Sequence, residues 1–276
     1  MEMYNIVEQL DRGSFGTIHM CLKRHNRQKM VMKRIYADLK GEELKSAQNE
    51  VAILKSLNHP NIIQYYDSYV QNGTFHIIME YASHGSLQQL IEKNRPKYFN
   101  PQVVMNFFCQ ILMGLHHVHE KNIIHRDLKC ENIFVTGLQC DVIKIGDFGI
   151  SKLLSNSKMD TTVIGTYNYL APELCRGKSY NRKTDIWALG CVLYEICAME
   201  KMYHGTVSDI IVSIVNGKRK TIDSKRYGKQ MQELLHLLLQ SDPEKRPDTK
   251  TLMALADVFP SLHSLTVNLG CIFDKQ

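Results

Sequence analysis

Short apolar runs separated by turn residues dominate the first part of the chain: Tyr4 to Leu10, Ile18 to Leu22, Met30 to Ile35, Ile62 to Tyr66 and Phe75 to Met79. Runs of this length bounded by polar turns predict strands. One segment breaks the pattern. Leu44, Ala47, Val51, Leu54 and Leu57 recur at three- and four-residue steps, which predicts a single helix over Glu43 to Leu57. After Gly85 the period becomes helical, with one apolar face over each of Val103 to His119, Thr184 to Ala198, Ser208 to Val215 and Met231 to Gln240. Between the first two lies a stretch of short β-like runs and loops, Ile123 to Ile150, and then a polar segment, Ser151 to Thr162. The expected class is α+β with two lobes. An antiparallel sheet with one helix occupies 1–79, a hinge 80–86, a mostly helical lobe 87–260, and a C-terminal extension 261–276.

Composition narrows the class of function. The chain has 276 residues, 44% of them hydrophobic, which is enough for a full core and long for one simple domain. Its eight cysteines include no C-x-x-C pair, and the N-terminus lacks an apolar stretch with a small-residue cleavage site, so a reduced, cytosolic or nuclear protein is expected. No apolar stretch approaches the ~18 residues of a membrane-spanning helix. The net charge of +6 is spread along the chain, without the basic stripe of a nucleic-acid-binding module.

Candidate chemistry begins at Asp11, Arg12, Gly13, Ser14, Phe15, Gly16, Thr17 and Ile18, a glycine-containing turn after an apolar strand. Backbone amides in such a turn approach phosphate oxygens closely, although a plain hairpin turn uses glycines in the same way. Lys33 follows on the third strand and Glu50 on the predicted helix. A buried ammonium needs a carboxylate, so these two read as a pair that grips nucleotide phosphates; the alternative is an ordinary surface ion pair.

The run His125-Arg126-Asp127-Leu128-Lys129-Cys130-Glu131-Asn132, followed by Asp147-Phe148-Gly149, resembles the eukaryotic protein kinases. The likeness continues through Ala171-Pro172-Glu173, then Asp185, Trp187 and Gly190, then Arg246, and covers nearly the whole chain. It implies a protein-kinase-like bilobal fold and the cofactors ATP and Mg2+. Phosphoryl transfer requires a carboxylate to take the acceptor's proton and hard oxygens for magnesium, which Asp127, and Asn132 with Asp147, supply. By resemblance Lys129 contacts the transferred phosphate. Glu173 and Arg246 form a buried pair that anchors the activation segment. Leu10, Ile18, Val31 and Phe134 enclose the adenine, and Met79 closes the back of its pocket. Glu80 and Ala82 bond the adenine through their backbones, and His125, Phe148, Leu54 and Tyr65 form an apolar column. A purely structural role for these apolar residues is the alternative.

Lys129 and the Gly165-Thr166 pair resemble serine/threonine kinases rather than tyrosine kinases. His59-Pro60-Asn61-Ile62-Ile63, Asn132 to Thr136, Gly146 to Lys152 and Asp185 to Glu195 resemble the NIMA-related branch. That branch is associated with mitosis, centrosomes, microtubules and cilia, which implies a cytoplasmic protein, with nucleus and cytoskeleton as alternatives. Arg126 resembles the arginine that binds a phosphorylated activation segment, which makes Thr162 the expected switch, with Thr161, Ser157 and Ser155 behind it and an upstream kinase or autophosphorylation as its source. The implied partners are ATP and proteins with serine or threonine acceptors. Asp11 stands where the family has glycine, Tyr167 where it has proline, and Leu170-Ala171 where it has Met-Ser. Asp11 and Tyr167 are the only support for the rival reading, a pseudokinase scaffold that binds partners without transfer.

Overall fold

The computed structural model describes residues 3–13, 16–35, 51–148 and 164–273. The chain divides into two compact units, Met1–Ser83 with Asp147–Asp160, and His84–Gly146 with Thr161–Gln276.

In the first unit β1 (Tyr4–Gly13), β2 (Gly16–Lys23), β3 (Lys29–Ile35), β4 (Tyr65–Gln71) and β5 (Thr74–Glu80) form one antiparallel sheet in the order β1-β2-β3-β5-β4. Strand side chains alternate between faces, so Met30 and Met32 enter a core with Tyr4, Cys21 and Ile78, while Val31 and Lys33 project from the other face. Gly16 is required by packing: a Cβ there would lie 1.8 Å from the Arg34 carbonyl oxygen, so a side chain would force β2 and β3 apart. The expected strand Ile62 to Tyr66 is displaced, since β4 runs from Tyr65 to Gln71. Ile62 instead donates its backbone N–H to the His59 carbonyl at 3.0 Å and is 1% exposed. Ile62 is buried at a single bridge position ahead of β4, so its apolar character records burial outside the continuous strand. Of the predicted helix over 43–57, the described part is 51–56, and Val51, Leu54 and Leu57 are buried.

In the second unit the helix Arg182–Ala198 is buried on nearly every side, from Thr184 to Cys197. Its start is a reciprocal cap: the Asn181 side chain accepts from Thr184 N, and Thr184 Oγ1 accepts from Asn181 N. A Cβ on Gly190 would sit 2.8 Å from Leu239 Cδ2, so the missing side chain lets the chain around the end of Ser224–Leu238 close onto it. Pro101–Glu120 and Val207–Val215 fall close to expectation. The helix expected from Met231 begins at Ser224, with a break at Gly228 (φ 77°) that hides its first part from the apolar period. The structure adds Leu87–Asn94, capped by Ser86 and Gln89, together with Thr249–Met253 and Phe259–Phe273. The β-like stretch resolves into a hairpin of β6 (Ile133–Thr136) and β7 (Val142–Ile145). Among the described residues, no helix is long and apolar enough to cross a membrane.

Candidate active site

In the first unit the cross-strand partners Ile18 and Lys33, and Val31 and Met79, lie on the sheet face opposite Met32. All four are partly exposed. Thr17 points the other way: it is buried and its hydroxyl bonds His19 Nε2 at 2.8 Å. Asp11 is exposed and accepts the Arg12 backbone N–H at 2.7 Å, so its carboxylate folds back onto its own strand. Gly13 pairs with Gly16 at the end of the β1–β2 ladder. Leu10 is exposed; Ser14 and Phe15 lie outside the described residues. At the end of β5 the Glu80 N–H donates to the Gln64 carbonyl at 2.9 Å, and Ala82 is buried.

Lys33 Nζ lies 2.5 Å from Asp147 Oδ1, with the lysine side chain 15% exposed. The expected partner Glu50 lies outside the described residues. Asp147 has φ 51°, a left-handed conformation that an aspartate tolerates better than most side chains. Phe148 is buried beside it in sequence.

The second unit holds the loop from His125 to Asn132. Asp185, 2% exposed, accepts from His125 N at 2.9 Å and Arg126 N at 3.1 Å, and its Oδ2 also lies 2.8 Å from His119 Nε2. These bonds hold the chain through Arg126, an exposed residue at φ 68°. His125 Nδ1 accepts from Asp127 N at 3.3 Å, so Nε2 carries the proton given to the Gly146 carbonyl at 3.1 Å. Asp127 is fixed from two sides. Its Oδ2 lies 3.0 Å from Lys129 Nζ and accepts from Asn132 Nδ2 at 2.8 Å. The same amide donates to the Asp127 carbonyl at 2.8 Å, which fixes the amide orientation and leaves Asn132 Oδ1 as its hard-oxygen donor. Phe134 is positioned by a bridge to Ser86, and the Val135 N–H bonds the Gly85 carbonyl at 2.9 Å.

Glu173 and Arg246 form a bidentate pair, with Nη1–Oε1 at 2.7 Å and Nη2–Oε2 at 2.8 Å. Burial pushes the Glu173 carboxyl up, and the guanidinium more than reverses that, so its pKa is lowered. Thr161 and Thr162 lie outside the described residues, as do Ser155 and Ser157.

Two groups beside the loop escaped sequence reasoning. His119 is a buried partner of Asp185. Tyr169 is the other: its hydroxyl accepts from Cys130 N at 3.4 Å and makes a short bond to Glu195. The available signal was a carboxylate inside a long apolar helix, at Asp185 and again at Glu195, because buried charges need partners.

The protein kinase domain family model matches residues 4–256. Zebrafish serine/threonine-protein kinase Nek8 is 40% identical over 272 residues, which covers 98% of this chain and 39% of that protein. Caenorhabditis elegans serine/threonine-protein kinase nekl-2 is 38% identical, covering 99% of this chain and 79% of that protein. Human serine/threonine-protein kinase Nek5 is 34% identical over 92% of this chain and 36% of its own length. The chain thus spans well under half of two of these three relatives.

Proposed function

Since the chain belongs to the protein kinase domain family, and within it to the NIMA-related kinases, we propose that it transfers the γ-phosphoryl group of ATP to serine and threonine hydroxyls of proteins. The observation that carries this reading is the Asp127 carboxylate, held between Lys129 at 3.0 Å and Asn132 at 2.8 Å on a loop pinned by Asp185.

Each residue then has a task set by its chemistry. Asp127 orients the acceptor hydroxyl and takes its proton. Lys129, already beside Asp127, stabilises the charge on the moving phosphoryl group. Lys33 grips the nucleotide phosphates. Its position against Asp147 keeps a charged, mostly buried ammonium compensated when no phosphate is there. The half-exposed sheet face with Ile18, Val31 and Met79 suits an aromatic base, and the Glu80 carbonyl suits its amino group.

The donors present fit magnesium. The Asp147 carboxylate in the first unit and Asn132 Oδ1 in the second are each hard oxygens of the kind magnesium takes beside phosphate oxygens and water. When bound, the ion neutralises charge on the phosphates.

Asp11 is compatible with this reading, since its carboxylate is occupied by the Arg12 amide. The scaffold alternative is not favoured. Arg126 supports control by a phosphorylated hydroxyl, with Thr162 the first candidate, because it is exposed and its backbone is already fixed by Asp185. A cytoplasmic location rests on the NIMA-related resemblance. The test is transfer of labelled phosphate from Mg-ATP to a generic serine/threonine substrate by the native chain and by Asp127→Asn, with mapping of phosphate on the chain itself. Label transferred equally by both proteins would refute the reading.

A further inference from the structure

Glu131 directly precedes Asn132, which bonds Asp127 at 2.8 Å, so the Glu131 side chain stands at the edge of the transfer machinery. It is not alone there. The Tyr169 hydroxyl lies 3.3 Å from Glu131 Oε2 and bonds Glu195 as well, so two carboxylates converge on one phenol. Glu195 is 1% exposed and its Oε1 has no hydrogen-bond partner among the described residues. Burial raises the Glu195 pKa, with Glu131 pushing the same way. The half-exposed Glu131 carboxylate would by itself attract a cation.

The chain supplies that cation internally. After the helix Arg182–Ala198, Met199 turns left-handed at φ 59°, and the reversal brings Lys201 back to the loop. Lys201 Nζ sits 2.8 Å from Glu131 Oε1 and 5.8 Å from the centre of the Tyr169 ring, with its side chain 23% exposed. Burial opposes the charge on Lys201, but pairing with Glu131 outweighs burial and raises its pKa. A mostly buried ammonium between the Glu131 carboxylate and an aromatic face is a fixed feature, unlike a loose surface pair.

A peptide whose hydroxyl reaches Asp127 advances about 3.3 Å per residue when extended. Glu131 follows Asp127 by four positions on the same loop, a separation within reach of side chains a few places from the acceptor. We propose that Lys201 sets the charge preference of the acceptor peptide: by occupying Glu131 it closes an acidic subsite beside Asp127, so that peptides with arginine or lysine near the acceptor are rejected. Exclusion by like charge is a direct route to specificity. The inference rests on the kinase reading above.

The experiment compares kcat/KM for peptides with one serine acceptor and either alanine, aspartate or arginine at each flanking position in turn. The enzymes are the native chain, Lys201→Met and Lys201→Arg. For the native chain, arginine lowers kcat/KM at one or more positions. Lys201→Met raises the arginine-to-alanine ratio there by about tenfold, while the alanine peptide changes less than about twofold. Lys201→Arg keeps the native ratio. An unchanged ratio in a folded Lys201→Met protein, or an equal loss with every peptide, overturns the proposal. So does a native chain that prefers arginine to aspartate, which needs no variant at all. Should the native chain phosphorylate neither these peptides nor a generic substrate, the kinase reading itself fails, a result distinct from an unchanged ratio.

Discussion

Arg246 holds Glu173 through two parallel hydrogen bonds, 2.7 and 2.8 Å long, with the arginine side chain wholly buried and the glutamate 3% exposed. Two further arginine donors are also used. Nε gives to the Gln240 carbonyl at 2.7 Å and Nη1 to the Lys183 carbonyl at 2.8 Å, while the Trp187 ring lies 5.1 Å from the guanidinium carbon. Glu173 accepts a further bond from Thr184 at 3.2 Å. One clamp thus ties Glu173 and the start of the helix Arg182–Ala198 to the stretch from Gln240 to Arg246, which is distant from both in sequence.

Removing one member leaves a buried charge without its partner. Arg246→Met or Glu173→Leu alone should each cost about 3–5 kcal/mol, measured by urea denaturation. The double replacement should cost less than the sum of the two. Additive losses would mean that the two residues act independently.

Asp127→Asn should lower the rate of transfer by about 10²–10⁴-fold and leave ATP affinity nearly unchanged, because the amide keeps the loop bonds and loses the base. Nucleotide binding and single-turnover transfer, measured on the same preparation, separate the two effects. A parallel loss of ATP binding would place Asp127 in nucleotide recognition instead.

Lys33→Met should reduce kcat/KM for ATP by about a hundredfold. It also leaves Asp147 without the cation at 2.5 Å, so magnesium dependence should change along with nucleotide affinity. A variant with native kinetics at all magnesium concentrations would remove Lys33 from the phosphate grip.

Asp185→Ala strips two backbone N–H groups, at His125 and Arg126, of their buried acceptor. An unsatisfied buried donor costs about 1–3 kcal/mol, so the variant should unfold at lower denaturant. Its transfer rate should also fall, because Asp127 depends on the same loop. Native transfer from a destabilised Asp185→Ala protein would separate the two.

His76 is buried and stacks on Tyr69 at 4.8 Å, and burial, with Arg34 acting in the same direction, lowers its pKa. A histidine with a folded pKa below its ordinary value of about 6.5 is protonated more readily in the unfolded chain. Its stabilising contribution is therefore complete above that ordinary value and is lost as pH falls from there toward the folded pKa. His76→Phe, which keeps the stack, should flatten the loss of stability between neutral and mildly acidic pH. An identical slope in both proteins would exclude His76 as a contributor.

Much of the site was legible in the chain. His125 to Asn132 and Asp147 to Gly149 carry their chemistry in residue type and spacing. A loop of a few residues has little choice about which side chains it brings together, and Asn132 does reach Asp127. The strands of the first unit and the long helices of the second were legible for a related reason, since the period of burial follows the period of the backbone. That rule also explains the misplaced strand at Ile62 and the expected helix start at Met231, seven positions after the observed start at Ser224. Apolar character reports burial: Ile62 is buried ahead of β4, and the break at Gly228 interrupts the apolar period of its helix.

By itself the sequence determined the alternation of elements and the local order of groups in the transfer loop, because both depend on neighbours along the chain. Tertiary structure alone decided which distant residues meet: Asp185 with the loop some sixty positions earlier, Glu173 with Arg246, and Lys201 with Glu131. A charge in an apolar run announces that a partner is needed. It does not name the partner, because the choice depends on helix packing and on the turn after Ala198, and these follow from the whole core rather than from any local pattern.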